Sequence, residues 1–322
     1  MKSIKIIDKN SNYSLVDETF LMNSTLTNWN GWLCSIGQIN IEIEKNGNVY
    51  GGNCKQRIYY NNLYNSNFSF SPVKNLTVCN QDYCKCFHDI SIYKIKDSSY
   101  INSNAITLAT IKEFGKVLPT DSYDFKITWT LHTKCNFSCS YCPPHLHSAK
   151  DINKNNIDIG FKNFLTTFHD KKIMLNFLGG EPTLYTDLPD KIRRIKNLHL
   201  ENRILITTNG SRSYKYLKEL AKYAEISFSV HLHQPSLDKL ANKINNLSVL
   251  DDIQPFQVHV LFPSDSDTKL KQFLGRLKSK NYYIRVIKIR KLYEDQNEDY
   301  YKYSSKQNKL IEELNNYFEN LN

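Results

Sequence analysis

From about Asp124 to its last residues, the chain alternates strand and helix signals in a regular beat. DFKITWTLH (Asp124–His132) places Phe125, Ile127, Trp129 and Leu131 on one side and Lys126, Thr128, Thr130 and His132 on the other, a strand period of two. A helix follows, with Ile157, Phe161, Phe164, Leu165 and Phe168 at helical spacing. The pattern then repeats. IMLNFLGG (Ile173–Gly180) precedes a helix through Ile192, Ile195 and Leu198; RILITTNG (Arg203–Gly210) precedes one through Leu217, Leu220, Ala221 and Ala224. EISFSVHLH (Glu225–His233) leads to Leu237, Leu240, Ile244 and Leu247, and FQVHVLF (Phe256–Phe262) to Leu270, Phe273, Leu274 and Leu277. YIRVIKI (Tyr283–Ile289) leads to a last helix through Leu310, Ile311, Leu314 and Phe318. Repeated βα units joined by right-handed crossovers predict an α/β fold with a parallel sheet and helices outside it.

Six such units curl into an open, partial (β/α)6 barrel. A flat sheet covered on both faces has strands that read as continuous apolar runs. Here several strands are apolar on one face only. Ile226, Phe228, Val230 and Leu232 are expected to face the helices, and Ser227, Ser229, His231 and His233 the interior. A polar interior face costs free energy unless it lines a ligand site or its groups satisfy one another. Interior candidates for substrate contact are Lys126, Thr128, His132, Asn176, His231, His233, Gln257 and His259.

The first 120 residues read differently. INIEIEKNGNVYGG (Ile39–Gly52) alternates Ile39, Ile41 and Ile43 and then carries Asn46-Gly47, a hairpin signal. ISIYKI (Ile90–Ile95) is a further short strand, and a helix is expected around Ala109–Lys116. A loop-rich module of this kind buries little core and needs a staple. The expected organisation is a Cys-rich β-hairpin module over 1–96, a connector over 97–123 and the barrel over 124–322.

The eight cysteines of this 322-residue chain are distributed in two groups. Cys34, Cys54, Cys79, Cys84 and Cys86 lie in the N-terminal part, Cys135, Cys139 and Cys142 follow the first barrel strand, and no cysteine comes after them. No stretch approaches 18 apolar residues and MKSIKIIDKN is too polar for a signal peptide, so a cytoplasmic protein is expected. In that compartment metal or redox chemistry comes before disulfides. The net charge of +10 fits either a polyanionic partner or a Lys- and Asn-rich composition. The basic residues are mostly Lys rather than the phosphate-forking Arg, so nucleic acid is not the expected partner.

CNFSCSYC spaces Cys135, Cys139 and Cys142 as C-x3-C-x2-C. Three thiolates on one loop can wrap one compact site and leave one metal position open, as a reactive site needs. A zinc loop completed by His132, His145 or His147 is the alternative. The spacing, with Tyr141 before the last cysteine, resembles the signature of the radical S-adenosylmethionine (SAM) superfamily. Gly179–Pro182 (GGEP) resembles the family motif that binds the methionine amino group. Thr208, Asn209 and Gly210 end the next strand with a TNG common in the family, and Ser227 and Ser229 lie near where the family contacts ribose. The fifth strand lacks the family's Gly-containing adenine motif.

The resemblance implies a [4Fe–4S] cluster on Cys135, Cys139 and Cys142. It also implies SAM-binding residues among Tyr141, Gly179, Gly180, Glu181, Thr208, Asn209, Ser229 and His231. A one-electron donor of flavodoxin or ferredoxin type would drive reductive cleavage of SAM to a 5′-deoxyadenosyl radical that abstracts hydrogen from substrate. Independently, the cysteine loop, GGEP, TNG and the His231/His233 pair all fall at C-terminal strand ends, where parallel β/α folds bind ligands.

The five N-terminal cysteines resemble the auxiliary-cluster modules of the same superfamily, the SPASM and twitch domains, although those usually follow the barrel. The resemblance implies an auxiliary [4Fe–4S] cluster on Cys34, Cys54 and two of Cys79, Cys84 and Cys86; a structural zinc knuckle is the alternative. The implied function is radical modification of a peptide or protein side chain. Oxidation of a small metabolite such as a sugar or nucleotide, or a non-catalytic metal-stapled binding protein, are the competing readings.

Overall fold

The computed structural model describes residues 3–7, 13–17, 29–82, 84, 92, 94–95, 117–118, 123–142, 147–234, 236–254, 256–263, 265–278, 282–289 and 303–319. The helix expected around Ala109–Lys116, Cys86, His145 and half of Ile90–Ile95 lie outside them. The chain divides into two units, Met1–Trp129 with Asn155–Leu175, and Thr130–Lys154 with Asn176–Asn322.

In the first unit, β1 (Ser3–Ile7) pairs antiparallel with β2 (Tyr13–Asp17) and with β9 (Val117–Leu118). β3 (Leu33–Cys34) pairs antiparallel with both β7 (Thr77–Val78) and β8 (Lys94–Ile95). The expected hairpin is present as β4 (Asn40–Ile43) and β5 (Asn48–Gly51), with β6 (Ile58–Asn62) beyond it. Gly47 sits at φ +87°, a backbone conformation open to glycine.

The hairpin does not stand apart from the sheet. β4 lies parallel beside β10 (Phe125–Thr130), in the register Lys126–Asn40, Ile127–Ile41, Thr128–Glu42 and Trp129–Ile43. In this register apolar residues meet apolar residues and polar ones meet polar ones. Ile41, Ile43, Ile127 and Trp129 are all buried. Helix α1 (Lys154–Thr167) covers that apolar face: Phe161 and Phe164 lie 4.7 and 5.5 Å from the Trp129 ring. Phe70, Phe125 and Phe168 form a mutual trio at 5.4–5.5 Å, with Phe125 edge-on to the other two and Phe70 tilted at 48° to Phe168.

β11 (Ile173–Leu178) ends in the glycine pair. The second unit then continues the expected beat: α2 (Leu188–Leu198), β12 (Arg203–Thr208), α3 (Tyr214–Ala221), β13 (Glu225–His231), α4 (Leu237–Leu247), β14 (Phe256–Phe262), α5 (Asp267–Arg276), β15 (Tyr282–Lys288) and α6 (Ser305–Glu319). β12, β13, β14 and β15 pair in parallel in chain order, which is the connectivity an open partial barrel requires. The apolar positions read from the sequence are its core: Ile226, Phe228, Val230, Val258, Val260, Leu217, Leu220, Leu240, Ile244, Leu270 and Phe273 are buried. Asn315 of α6 donates to Val286 O at 3.1 Å and accepts from Val286 N at 2.8 Å, so edge groups of β15 are paired by a side chain. Among the described residues no helix is long and apolar enough to cross a membrane.

Candidate functional site

The site lies within the second unit, where the loop after β10 meets the ends of β11, β12 and β13. Backbone bonds lash the loop to the end of β11: Leu131 N donates to Leu178 O (3.0 Å), Gly180 N to His132 O and Glu181 N to Lys134 O (both 2.9 Å). This close approach needs the two glycines. A Cβ on Gly179, which sits at φ +138°, would lie 2.2 Å from His132 O, and one on Gly180 would lie 2.3 Å from Lys134 O.

Glu181 is almost wholly buried (1% exposed), and it is not free to meet an ammonium group. Its Oε1 accepts from Thr183 N (3.1 Å), Thr183 Oγ1 (2.5 Å) and Thr208 Oγ1 (2.7 Å), and its Oε2 from Asn209 N (2.6 Å). The carboxylate therefore caps the short turn Pro182–Leu184 and ties β12's TNG to GGEP. Burial pushes its carboxyl above the usual range, and the four donors pull the other way. Thr183 escaped the sequence reading. Its signal was there: an acidic residue directly before a Pro that opens a helical turn is an N-cap pattern.

The three thiols gather next to this lock. Cys135 Sγ accepts from Phe137 N at 3.4 Å and lies 4.0 Å from Asn209 Nδ2, which also donates to Asn136 Oδ1 at 3.0 Å. Cys139 is buried, and its Sγ is 3.4 Å from His231 Nδ1. Tyr141 OH is 2.7 Å from the same nitrogen, its ring nearly parallel to the imidazole, and Ser229 Oγ is 3.3 Å from His231 Nε2. His233 is exposed, 3.4 Å from Tyr141 OH. Burial, reinforced by the neighbouring cysteines, pushes Cys139 up to about 11, and burial raises Cys135 and Cys142 as well. Three thiols that interact electrostatically, one buried and two half-buried, are a donor set for a cationic centre, which would draw them into the thiolate form.

Among the described residues, no three His, Cys, Asp or Glu side chains converge closely enough to hold a single ion. A polynuclear cluster, whose own iron and sulfide atoms separate its thiolates, does not need that convergence. His147 Nε2 is 3.1 Å from Cys142 O, so it faces a carbonyl rather than the thiols. Buried polar atoms without a protein partner lie near the same strand ends: Asn176 Oδ1, Ser211 Oγ and Gln234 Nε2. Orphaned polar atoms of this kind fit a polar ligand. Burial holds His132 and His231 down to about 4, so both rings are neutral at pH 7.

Of the other interior candidates, Ser227 and His259 satisfy each other at 3.2 Å. Lys126 and Thr128 belong to the first unit, where with Asn40, Ile41, Glu42, Gly52 and Asn53 they line a small cavity of about 10 Å³, room for little more than a water. His259 makes a pH prediction. Burial, with Arg285 next in weight, lowers it from 6.5 to about 4. The unfolded chain then binds more protons than the folded one below pH 6.5. Its stabilising share is complete above that pH and is lost as pH falls towards 4. Between pH 7 and 5 the native protein should lose about 2 kcal/mol more than a His259→Gln variant. Urea unfolding at the two pH values measures this, and equal losses would contradict it.

The N-terminal cysteines also come together. Cys34, Cys79 and Cys84 are buried with Trp29, Ile36 and Ile92 in one cluster, against which half-buried Cys54, Trp32 and Ile58 pack. None of the four is joined in a disulfide. Cysteines up to 50 positions apart in the chain thus share one apolar pocket.

Residues 129–253 match the model of the Radical SAM superfamily. Among curated proteins, the chain is similar to GTP 3',8-cyclase of Haemophilus influenzae strain 86-028NP, with 26% identity over 58% of this chain and 59% of the relative. It is also similar to GTP 3',8-cyclase of Listeria monocytogenes serovar 1/2a, with 28% identity over 54% of this chain and 55% of the relative. The matched region thus spans less than three fifths of these relatives' length. Among solved structures, SuiB of Streptococcus suis bound to S-adenosylmethionine aligns at 17% identity and a TM-score of 0.42, over 60% of this chain and 47% of SuiB.

Proposed function

We propose that this protein is a SAM-cleaving enzyme that abstracts hydrogen from an organic substrate, with Cys135, Cys139 and Cys142 holding the catalytic [4Fe–4S] cluster. When bound, the cluster supplies the electron that breaks the sulfonium bond of SAM. The observation that carries the reading is the convergence on one set of thiols of groups from two other strand ends. Asn209 reaches Cys135 and His231 reaches Cys139. The chain's own residues have distinct tasks. Gly179 and Gly180 let the cysteine loop pack against the end of β11, and Glu181 holds TNG and GGEP in register. Tyr141, stacked on His231, walls the thiols from water.

The cysteines Cys34, Cys54, Cys79 and Cys84 are proposed to hold an auxiliary cluster, in a SPASM- or twitch-like role. A cytoplasmic protein reduced by a flavodoxin- or ferredoxin-like donor completes the reading. For the substrate, the relatives' names favour a small metabolite, a nucleotide, over the peptide side chain expected from the sequence. Anaerobically reconstituted protein with dithionite is expected to convert SAM to 5′-deoxyadenosine. It should also hold about eight irons per chain. A protein that takes up only zinc and leaves SAM intact overturns the assignment. GTP deuterated on its ribose tests the substrate: label appearing in 5′-deoxyadenosine supports a nucleotide, and label staying in GTP while a peptide library is modified restores the peptide.

A further inference from the structure

The loop after β12 has its backbone fixed peptide by peptide. Lys243, half-buried on α4, donates from Nζ to three successive carbonyl oxygens: Gly210 O (3.0 Å), Ser211 O (3.4 Å) and Arg212 O (2.6 Å). An ammonium has three N–H donors, so its whole capacity is spent on this one turn of backbone. The N–H groups of the loop have partners of their own. Asn209 N donates to Glu181 Oε2 (2.6 Å), Gly210 N to Thr208 Oγ1 (3.1 Å) and Ser211 N to Asn209 Oδ1 (3.0 Å). Gly210, at φ +69°, lets the loop pack on α4: a Cβ there would lie 2.4 Å from Leu240 Cδ1, and Leu240 is about one helical turn before Lys243. Water serves the carbonyls of an ordinary surface loop. A long side chain immobilised for that purpose costs rotamer entropy, so the position of this loop is worth holding. What the loop carries is Asn209, 5% exposed. Because its Oδ1 is taken by Ser211 N, its Nδ2 is the end turned to the cysteine loop, 3.0 Å from Asn136 Oδ1 and 4.0 Å from Cys135 Sγ.

We infer that Lys243 is a positioning residue for the three-cysteine site: by holding the backbone of 210–212 it aims the Asn209 amide N–H at the Cys135 sulfur, and so favours the reduced form of the cluster carried there. This inference rests on the proposed catalytic cluster and adds to it a control of its potential from α4. Reduction brings in one electron from the donor and adds negative charge at the sulfurs. A hydrogen bond to a ligating sulfur favours that charge and raises the reduction potential.

The test uses the full-length chain, reconstituted anaerobically and with its iron counted. Electron paramagnetic resonance follows the signal that changes when SAM is added, and dithionite titration gives its potential. Lys243→Met is expected to keep its iron and to have a more negative potential. The shift should reach about tenfold in the ratio of reduced to oxidised cluster at fixed potential, ~59 mV for one electron. Asn209→Ser keeps an acceptor for Ser211 N and removes the amide N–H, so it should shift the potential the same way by at least as much. In an Asn209→Ser background, Lys243→Met should add nothing, because its path to Cys135 is already cut. A lysine acting through its charge alone would give the same shift in both backgrounds, and that result overturns the inference. An unchanged potential in Lys243→Met, with iron retained, also overturns it and leaves the catalytic cluster standing. A parent without the SAM-responsive signal overturns the catalytic cluster, and the inference falls with it. If Lys243→Met loses its iron, Lys243→Gln decides, since it keeps a polar side chain too short to hold all three carbonyls: a lowered potential supports the inference and a parental one overturns it.

Discussion

Replacing Glu181 with alanine is expected to destabilise the protein by about 4 kcal/mol and to empty the three-cysteine site of iron. The carboxylate accepts four hydrogen bonds in a nearly waterless environment. Truncation leaves two backbone N–H groups, of Thr183 and Asn209, and two threonine hydroxyls to find new partners. Orphaned buried groups cost about 1–3 kcal/mol each, and hydroxyls can rotate towards other acceptors. Glu181→Gln keeps the shape but turns one acceptor into a donor facing donors, so it should cost about half as much. Urea unfolding measures both, and iron analysis reports the site. An alanine variant within 1 kcal/mol of the native protein would show that Glu181 is not the clamp described above. A residue whose only task was to bind an ammonium group would behave that way, since its loss would weaken SAM binding and spare the fold.

Gly180→Ala is expected to remove about four irons per chain while leaving the N-terminal share in place. The added Cβ would fall 2.3 Å from Lys134 O, a backbone atom that cannot swing aside as a side-chain tip can. The loop must retreat, breaking the bonds from Gly180 and Glu181 to His132 and Lys134 that set the position of Cys135. Iron content after anaerobic reconstitution gives the outcome directly. Full iron in the variant would mean that the loop position does not depend on the glycine pair. Gly179→Ala carries the same clash against His132 O and adds a strained φ, so it should be no milder.

The barrel half of the molecule was legible because its signals are local. A period of two in Glu225–His233 and helical spacing in Leu237–Leu247 each report on residues a few positions apart, and the buried faces follow them. The cysteine spacing and the glycine pair were legible for the same reason. The polar strand faces were only half legible. Alternation says that Ser227 and His259 point inward, but only the register of β13 against β14 makes them partners of each other. The hairpin was legible from Asn46-Gly47, whereas its place beside β10 was not, because pairing between strands 80 residues apart leaves no trace in either strand alone.

By itself, then, the amino-acid order determined which segments are strands and helices, which glycines stand bare, and that three cysteines share a loop at a strand end. Each of these depends on steric and hydrophobic preferences within a few residues. Tertiary structure alone decided that Glu181 is consumed by Thr183, Thr208 and Asn209. It alone decided that Cys34, Cys54, Cys79 and Cys84 share a pocket with Trp29, and that Lys94 is buried opposite Cys34. The physical reason is burial: whether a carboxylate, a thiol or an ammonium is a free ligand or a satisfied partner depends on what surrounds it once water is gone, and those neighbours come from distant parts of the chain.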